Sequence, residues 1–596
     1  MEHKMSKRKM QNIHNFHIPI MGTGFTIDTP LRVAKFGISS VVSLVDDVLI
    51  EQVREYHCNQ NKLSYEAIEK TDSDYRAKRI TTYLNLLDHL IKKQVEELKI
   101  LSFSEDNDLK KYFDLLPDCS ELKKSYLLML QTSDQTEKKQ KQTLLRESIQ
   151  AGSIDVNIMT KLNGEHYSDG EKLPAQYSDA LAALRGYANS TVSSSMIFSA
   201  GLNPVLYGYM TEFDDFFPDE KGHIKKKIVL KVSDYRSAVI QGKFLAKKGL
   251  WVSEYRIESA LNCGGHAFLG DGSVIGPILE EFKTRKTELI NMLHDYFVKA
   301  LQAKGCVVPE NIPAVKVTVQ GGIGTHEEHQ FLIDYYQVDS VGWATPFMLV
   351  PEAVNVDEEH LEKLMHAEEK DVRLNSFSPL GISFWNLITS ASELARQQRV
   401  QEGCPGATCT KGYLRFDKEF TERPICQASK AYISKKMAEL DNTEMAENVK
   451  TFVKEMLLNK SCICHDLAGC VTKRYHIDPN ATPAVCCGPN IVNFAKIATL
   501  QEMVDHIYGR TSLLAKNNRP HVFIRELEIN TDFLEDEIEK RKAGLPTRQT
   551  EKMKEMRDNL IANVGYYQQL GEVLPKRQEL KQALDRLLQR LRSIVL

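Results

Sequence analysis

Two glycines, a histidine and a cysteine stand side by side in the segment ESALNCGGHAFLGDG at residues 258–272. Cys263 precedes Gly264 and Gly265, and His266 follows them. Because glycine lacks a β-carbon, the backbone at this point can pass close to a cofactor or substrate. An imidazole with an unperturbed pKa of about 6.5 can accept a carbon-bound proton or donate to an oxygen near neutral pH. The segment predicts a catalytic loop in which His266 is the acid–base residue; the alternative is a histidine that only packs and forms hydrogen bonds.

A second glycine motif, VQGGIGTHEEHQFL, covers residues 319–332 and separates a β-like run from a helical one. The backbone N–H groups of Gly321, Gly322 and Gly324 can approach a phosphate closely, and the N-terminus of the following helix adds partial positive charge. Thr325 and Glu328 also fit the T-x-x-E capping box, which would satisfy the same N–H groups without a ligand. The motif alone leaves phosphate binding and simple capping open.

The elements that must position these motifs are eight β-like runs in the first 350 residues, most of them followed by a helical stretch. Several runs are β-branched and apolar nearly throughout, as in parallel strands that are covered on both faces. Eight such units predict a (β/α)8 barrel, whose active site lies at the carboxyl ends of the strands. The runs cover residues 18–25, 38–47, 154–163, 194–202, 227–234, 250–258, 315–324 and 339–347.

A doubly wound open sheet is the competing architecture. Glycine motifs follow the first, sixth, seventh and eighth runs, whereas a Rossmann fold has its glycine fingerprint after the first strand, so the pattern favours the barrel. In phosphate-binding barrels the loops after strands seven and eight form the phosphate pocket. The pattern therefore predicts a phosphate between the loop Gly321–Gly324 and the segment Gly342–Thr345, where the candidate contacts are Gly342, Ala344 and Thr345.

A chain of 596 residues is too long for one minimal domain. Residues 1–360 are predicted to form the barrel, with a helical insertion at about residues 50–150, where apolar residues recur at helical spacing. Residues 361–490 are rich in cysteine, proline and glycine and are predicted to pack on the barrel. Helical periodicity dominates residues 491–596, which form the third predicted region.

Eight of the twelve cysteines fall between Cys404 and Cys487. Thiolates from several loops can ligate zinc or an iron–sulfur cluster. The spacings match neither paired C-x2-C motifs nor the ferredoxin run, so a bound metal or cluster and reduced, unliganded cysteines both remain open. The candidate ligands are Cys404, Cys409, Cys462, Cys464, Cys470 and Cys486.

The composition excludes some classes of partner. A net charge of −3 gives no electrostatic case for binding nucleic acid or an anionic membrane. No apolar run approaches the roughly 18 residues of a membrane span, and the basic start MEHKMSKRKM lacks the apolar core of a signal peptide. We therefore expect a cytoplasmic protein, with homo-oligomerisation left open.

Six short motifs occur in the same order as in the nitronate monooxygenase (2-nitropropane dioxygenase-like) family of FMN-dependent barrels, and the first 350 residues resemble this family. Its Pro-Ile opening strand, Gly-Val-Asn-Leu strand and Ser-x-Gly-x-Pro segment each have a counterpart. So do its Glu-Ala-Gly-Gly-His segment, its Gly-Gly-Ile strand and its Gly-Thr-x-Phe end. The counterparts are Pro19–Gly22, Asp155–Ile158, Ser199–Pro204, Asn262–His266, Gly321–Ile323 and Gly342–Phe347.

The resemblance implies an FMN-binding barrel in which the Gly-Gly-His segment lies beside the flavin and His266 acts as a base or orients the substrate. It places the flavin phosphate at the two glycine loops described above. Cys263 stands where the family has alanine, and Asn262 stands where it has an acid. The further FMN contacts that the resemblance implies are Met21, Gly22, Asn157, Gly201, Gly264 and Gly265.

The leading prediction is an FMN-dependent oxidoreductase of the nitronate monooxygenase-like type, which acts on a small molecule or acyl chain with an acidic or conjugated carbon. A flavin-dependent enoyl reductase with an additional iron–sulfur centre is an alternative within the same class. Two functions outside this class also remain open. One is a phosphate-binding barrel lyase or isomerase that uses Cys263 or Lys231 without flavin, and the second is a non-enzymatic scaffold.

Overall fold

The computed structural model describes residues 13–596 except 169, 200, 263–266, 268, 517, 573, 575 and 576. Its centre is a sheet of eight strands in which every neighbouring pair is parallel. The strands are β1 (Phe16–His17), β2 (Ser40–Ser43), β3 (Ile154–Ile158), β4 (Ser195–Phe198), β5 (Lys227–Val232), β6 (Val252–Glu258), β7 (Lys316–Gln320) and β8 (Ser340–Gly342).

The sheet closes into a barrel. Its strand order is β1-β8-β7-β6-β5-β4-β3-β2, and Ile18, which follows β1, pairs in parallel with Ser40 of β2. The Ile18 amide donates to the Ser39 carbonyl at 2.9 Å and joins the two edges. Because all strands are parallel, their carboxyl ends meet at one face, which we call the mouth of the barrel.

The (β/α)8 prediction is confirmed, and the doubly wound alternative is wrong because the edges of the sheet pair with each other. The first run differs most from its prediction. Its strand ends at His17, and residues 22–28 form turns that begin where Gly22 adopts a left-handed φ of 59°. The runs around β2 and β3 are buried along their whole strand length, as expected for strands covered on both faces.

Helices surround the barrel and fill the connection between β2 and β3, where the helical insertion was predicted. The long helix Tyr75–Ile100 of this connection packs against the helix Asp179–Ala188 that follows β3. The helices up to β8 are α1 (Thr29–Val33), α2 (Asp47–Gln60), α3 (Tyr75–Ile100), α4 (Asp108–Asp114), α5 (Glu121–Gln131), α6 (Gln135–Glu147), α7 (Asp179–Ala188), α8 (Pro204–Tyr209), α9 (Tyr235–Ala246), α10 (Ile275–Lys304) and α11 (His326–Asp334).

After β8 the chain is mainly helical. Two short antiparallel strands, Val372–Asn375 and Phe384–Leu387, pair beside the barrel, and a second such pair, Tyr167–Ser168 with Glu171–Lys172, lies after β3. The helices of this part are α12 (Glu358–Met365), α13 (Ala391–Gln401), α14 (Lys430–Asn442), α15 (Glu447–Leu458), α16 (Ile463–Asp466), α17 (Gly469–Arg474), α18 (Leu500–Ile507), α19 (Val522–Lys542), α20 (Thr550–Leu570) and α21 (Arg577–Ser593).

One hydrophobic core runs through all three predicted regions. Leu87 of the insertion, Val156 of the barrel, Val471 of the region 361–490 and Leu527 of the C-terminal helices belong to the same cluster of buried, contacting side chains. The region boundaries at residues 360 and 490 stay a prediction. In the described part of the chain, no helix combines the length and apolar character that crossing a membrane requires.

Candidate active site

A cavity of about 100 Å³ lies at the mouth of the barrel. One polar side chain from each of the strands β2 to β6, at or just beyond its carboxyl end, lines this mouth cavity: Ser43, Asn157, Ser199, Lys231 and Glu258. The parallel arrangement brings these five strand ends together, and it is at this face that (β/α)8 enzymes carry their active sites.

An ion pair lies on the floor of the mouth cavity. Lys231 Nζ is 2.9 Å from Glu258 Oε1, and only 9% and 20% of the two side chains are exposed. The same Glu258 oxygen accepts hydrogen bonds from Asn262 Nδ2 at 2.7 Å and from Gln320 Nε2 at 2.6 Å. Because one oxygen of Glu258 accepts from three donors, this carboxylate fixes the positions of Lys231, Asn262 and Gln320. The Lys231 ammonium is therefore a charged group at the floor that a ligand can contact.

Two carboxamide oxygens of residues that line the mouth cavity have no hydrogen-bond partner within the described part of the chain: Oδ1 of Asn157 and Oδ1 of Asn262. Both side chains are buried. A buried acceptor without a donor costs about 1–3 kcal/mol. The chemistry of these oxygens therefore suits a ligand that presents N–H or O–H groups to the floor.

Residues that follow the barrel in sequence build the outer wall of the mouth cavity. Phe384, Leu414, Ile463, Cys464 and Leu467 line it opposite the strand ends. The turn after β1 is in direct contact with this wall, because a β-carbon on Gly24 would lie 2.8 Å from the Leu467 carbonyl oxygen. The sequence of this region contains no local motif that predicts a position at the catalytic face.

The loop after β7 holds a buried carboxylate. Glu328 is 2% exposed, and its Oε2 accepts the Gly324 N–H at 2.9 Å. Its Oε1 accepts the Val522 N–H at 2.7 Å and pairs with Arg519 Nη1 at 2.5 Å. Burial raises the pKa of Glu328, but the Arg519 charge and the hydrogen bonds outweigh it, so the pKa lies below its ordinary value.

The backbone carbonyls of this loop also form hydrogen bonds within the protein. Arg519 Nη2 donates to the Gly322 carbonyl at 2.6 Å, and Arg519 Nε donates to Asn490 Oδ1 at 2.8 Å. Asn490 Nδ2 donates to the Ile323 carbonyl at 3.1 Å, and His506 Nε2 lies 3.0 Å from the Gly324 carbonyl. Residues that follow β8 in sequence therefore contact every residue from Gly322 to Gly324.

The segment after β8 is packed into the protein core. A β-carbon on Gly342 would lie 2.7 Å from Cβ of Gln320, so glycine is needed there for strand packing. Trp343 Nε1 donates to His329 Nδ1 at 3.1 Å. Ala344 and Thr345 are 6% and 4% exposed and start a short 3-10 helix. Gly342, Ala344 and Thr345 do not line the mouth cavity within the part of it that the structure describes.

The structure thus shows protein contacts at the predicted phosphate site, whose role in phosphate binding stays a prediction. Within the loop Gly321–Gly324 the Gly324 N–H donates to an internal carboxylate, and the contacts predicted at Gly342, Ala344 and Thr345 lie in packed core. The capping alternative is closer to what is found, because Thr325 Oγ1 accepts the Glu328 N–H at 3.1 Å. Glu328 itself reaches back to Gly324, one residue before the cap, and not to Thr325 as in a capping box.

The remaining predicted contacts fall in different places. Gly22 and Asn157 line the mouth cavity, whereas Met21 is fully buried in the core. Gly201 is exposed and is not among the described residues that line the cavity. Gly264, Gly265 and His266 lie outside the described residues, so their assignment stays a prediction.

The loop between β6 and α10, residues 259–274, is held from outside by residues that the sequence analysis missed. We call it the site loop because its sequence carries the Gly-Gly-His motif. Arg548 donates to the carbonyls of Leu269 and Gly270, both at 2.6 Å. Asn559 and Asn563 of α20 donate to the next two carbonyls of the loop at 2.7 and 2.8 Å. These donors are spaced irregularly and lie far along the chain, so no local pattern identifies them.

Both ends of the site loop are also attached. Trp385 Nε1 donates to the Ala260 carbonyl at 2.9 Å. Glu526 of α19 is 1% exposed, and its Oε2 accepts the Ile275 N–H at 2.9 Å. Burial raises the pKa of Glu526 to about 7, against the opposing effect of its hydrogen bonds. The C-terminal helices therefore position the loop that was predicted to be catalytic.

The six candidate metal-ligating cysteines are not gathered into one site. Cys404 is exposed and Cys409 half-buried, while Cys462, Cys464, Cys470 and Cys486 are buried. Within the described part of the chain, the single group of three potential ligands within 4.8 Å of one another is Asp357, His360 and Cys470. Among the residues that the structure describes, the predicted cysteines therefore do not bring three ligand atoms this close together, and a bound zinc ion or iron–sulfur cluster stays a prediction.

The trio of Asp357, His360 and Cys470 is an internal hydrogen-bond cluster. His360 Nδ1 lies 2.8 Å from Asp357 Oδ2, and its Nε2 accepts the Ala391 N–H at 3.2 Å. Burial, together with the Asp357 charge, raises the pKa of the Cys470 thiol well above its ordinary value. Both ring nitrogens form hydrogen bonds within the protein, so the trio fixes the start of α12.

Comparisons with known proteins give weak similarities. No family model matches the sequence, and no curated protein matches it. Among solved structures, FabK from Thermotoga maritima is 12% identical at a TM-score of 0.36, covering 83% of this chain and 93% of that one. Nitroalkane oxidase from Streptomyces ansochromogenes is 9% identical at a TM-score of 0.36, covering 84% of this chain and 95% of that one. The enoyl reductase domain of MlnA from Bacillus amyloliquefaciens is 12% identical at 0.32, covering 63% and 85%.

Proposed function

We propose that the protein is a flavin-dependent oxidoreductase that works at the mouth cavity. The observation that carries the proposal is the convergence of motif residues. Gly22, Asn157 and Ser199 belong to three separate motifs of the family resemblance, and Asn262 begins a fourth at the position where the family has an acid; all four residues line the mouth cavity. A chance set of glycine- and asparagine-containing motifs has no reason to meet at the catalytic face of a barrel.

The residues present suit the ring of a flavin but do not suit its phosphate. The unpaired oxygens of Asn157 and Asn262 suit the hydrogen-bonding edge of a flavin ring. The loop Gly321–Gly324 does not suit the phosphate, because the Glu328 carboxylate already accepts the Gly324 N–H and pairs with Arg519. The cavity of about 100 Å³ is also smaller than the roughly 150 Å³ that accommodates benzene. The part of the mouth cavity that the structure describes is therefore smaller than a three-ring cofactor needs.

Lys231 is the residue of this chain to which we assign the main electrostatic role. Its ammonium lies on the floor, held by Glu258, and faces a wall that is mostly apolar. A cation in a water-poor site stabilises negative charge that develops on a substrate oxygen. This arrangement supports a substrate with an apolar body and an oxygen that bears or develops negative charge, which describes nitronates and enoyl thioesters alike. His266 remains the proposed acid–base residue, and homo-oligomerisation and a cytoplasmic location stay predictions.

Absorption spectroscopy tests the proposal directly. The purified protein, or the protein after incubation with FMN and gel filtration, is expected to carry the absorption bands of an oxidised flavin. Dithionite should bleach these bands, and air should restore them. A protein that stays colourless after incubation with both FMN and riboflavin would reject the proposed function.

A second candidate function is favoured by the filled phosphate loop. If the barrel uses no flavin, the Lys231–Glu258 pair and the carboxamides around it form a site for acid–base chemistry of the lyase or isomerase kind. Borohydride trapping separates the two candidates, because a lyase that forms a Schiff base on Lys231 would be labelled by its carbonyl substrate. The flavin-dependent enzyme would show no such label.

A further inference from the structure

The loop after β7 has the donors of an anion site and already contains an anion. The Gly324 N–H, the Val522 N–H and the Arg519 guanidinium surround the Glu328 carboxylate at 2.5–2.9 Å. We propose that Glu328 is a built-in substitute for the phosphate, so that a flavin at the mouth is not recognised through its phosphate at this loop. The part of this proposal that concerns flavin rests on the proposed function; the part that concerns the loop does not.

Charge excludes a second anion from this place. Arg519 and Glu328 neutralise each other, and their side chains are 6% and 2% exposed. Burial lowers the pKa of both His506 and His521, the imidazoles that border the loop, so neither adds positive charge near neutral pH. A phosphate here would meet a carboxylate in a site with little water to screen the repulsion.

The loop is also closely packed by other parts of the protein. A β-carbon on Gly322 would lie 2.5 Å from Leu261 Cδ1, and one on Gly324 would lie 2.6 Å from Asn490 Nδ2. The glycines are needed here so that residues of the C-terminal part can reach the loop.

The first consequence concerns the cofactor. Riboflavin and FMN differ only by the phosphate, so a protein that does not recognise the phosphate binds them with similar affinity. We expect their dissociation constants, measured by quenching of flavin fluorescence with the full-length protein, to differ by less than tenfold. A preference for FMN of tenfold or more would overturn the proposal. If the protein binds neither riboflavin nor FMN, the proposed function is rejected. The second experiment then tests the assignment of the loop by itself.

The second consequence concerns the loop alone. Replacing Glu328 with alanine removes the carboxylate and leaves its donors around a space of carboxylate size. We expect formate to raise the melting temperature of the Glu328→Ala protein by about 2 °C or more, relative to chloride at the same ionic strength. The unmodified protein should not respond. Absence of a formate effect in Glu328→Ala would show that the loop is not an anion site.

Two further variants make the result specific. Glu327 is the exposed neighbour of Glu328, and Glu327→Ala should melt like the unmodified protein with and without formate. Glu328→Gln fills the space without the charge, and formate should not raise its melting temperature. A formate effect in either control would contradict the assignment. If Glu328→Ala does not fold, the riboflavin and FMN comparison in the unmodified protein still decides the proposal.

Discussion

The buried carboxyl of Glu526 makes the stability of this protein depend on pH in a predictable direction. The side chain is 1% exposed, and Oε2 accepts the Ile275 N–H at the start of α10, 2.9 Å away. Burial raises its pKa from 4.5 to about 7. Below pH 4.5 the group is protonated in the folded and unfolded chain alike. Between pH 4.5 and 7 only the folded chain holds the proton, so the free energy of unfolding falls as the pH rises.

The size of the effect follows from the pKa difference. Moving the pKa of a fully buried carboxyl from 4.5 to about 7 corresponds to about 3 kcal/mol. With an unfolding entropy of about 1.3 kcal/mol/K for a chain of 596 residues, 3 kcal/mol corresponds to about 2 °C in melting temperature. Glu526→Gln keeps an oxygen for the Ile275 N–H but does not titrate. Relative to the unmodified protein, it should therefore gain about 2 °C between pH 4.5 and pH 8.

Differential scanning calorimetry at pH 4.5, 5.5, 6.5, 7.5 and 8.0 and one scan rate measures this difference. Other groups titrate in the same range, but they contribute equally to both proteins and cancel. Glu539→Gln is the matched control, because Glu539 lies on the same helix and is exposed. A constant difference between Glu526→Gln and the unmodified protein over this pH range would refute the reasoning.

Three further predictions concern the mouth. Arg548→Ala should lower the free energy of unfolding by about 2 kcal/mol, measured by urea denaturation, through loss of two charged hydrogen bonds to the site loop. Lys231→Met should lower turnover about 100-fold or more while the flavin spectrum is retained, with Lys225→Met, a surface variant, unaffected. Gly24→Ala should lower the melting temperature because its β-carbon meets a carbonyl oxygen, whereas Gly565→Ala, in open space, should not.

The barrel could be predicted because its evidence is local and repeated. The buried runs around β2, β3, β5 and β7 each show the apolar, β-branched composition of a parallel strand, so eight weak signals support one architecture. The error at β1 has a local cause. The segment HIPIMGTGF has the residues of a strand, but the chain turns at Gly22 to contact the C-terminal part, and composition does not record that contact.

The candidate site could be predicted only where its residues belong to strand ends. Gly22 and Asn157 were identified from motifs and do line the mouth cavity. The role of Glu328 could not be derived, since it depends on Arg519, which lies 191 positions away in a segment without a motif. The T-x-x-E pattern after the glycines was a sequence signal for this role. A glutamate at this spacing can reach the backbone N–H groups of the glycine loop, which a phosphate would also use.

Glycines at the mouth of this barrel can be required for two different physical reasons. The sequence shows only that a side chain is missing, and not which reason applies. A missing β-carbon lets a ligand approach the backbone, and it equally lets another part of the chain approach it. At Gly24 the approaching group is the Leu467 carbonyl, and at Gly324 it is Asn490 and Arg519. All three neighbours come from the part of the chain beyond residue 360, which thereby makes protein contacts in the loops after β1 and β7 where a ligand could have bound. A ligand is left with the space between Lys231 and Leu467, so the chemistry of that space, and not the glycine pattern, decides what this protein binds.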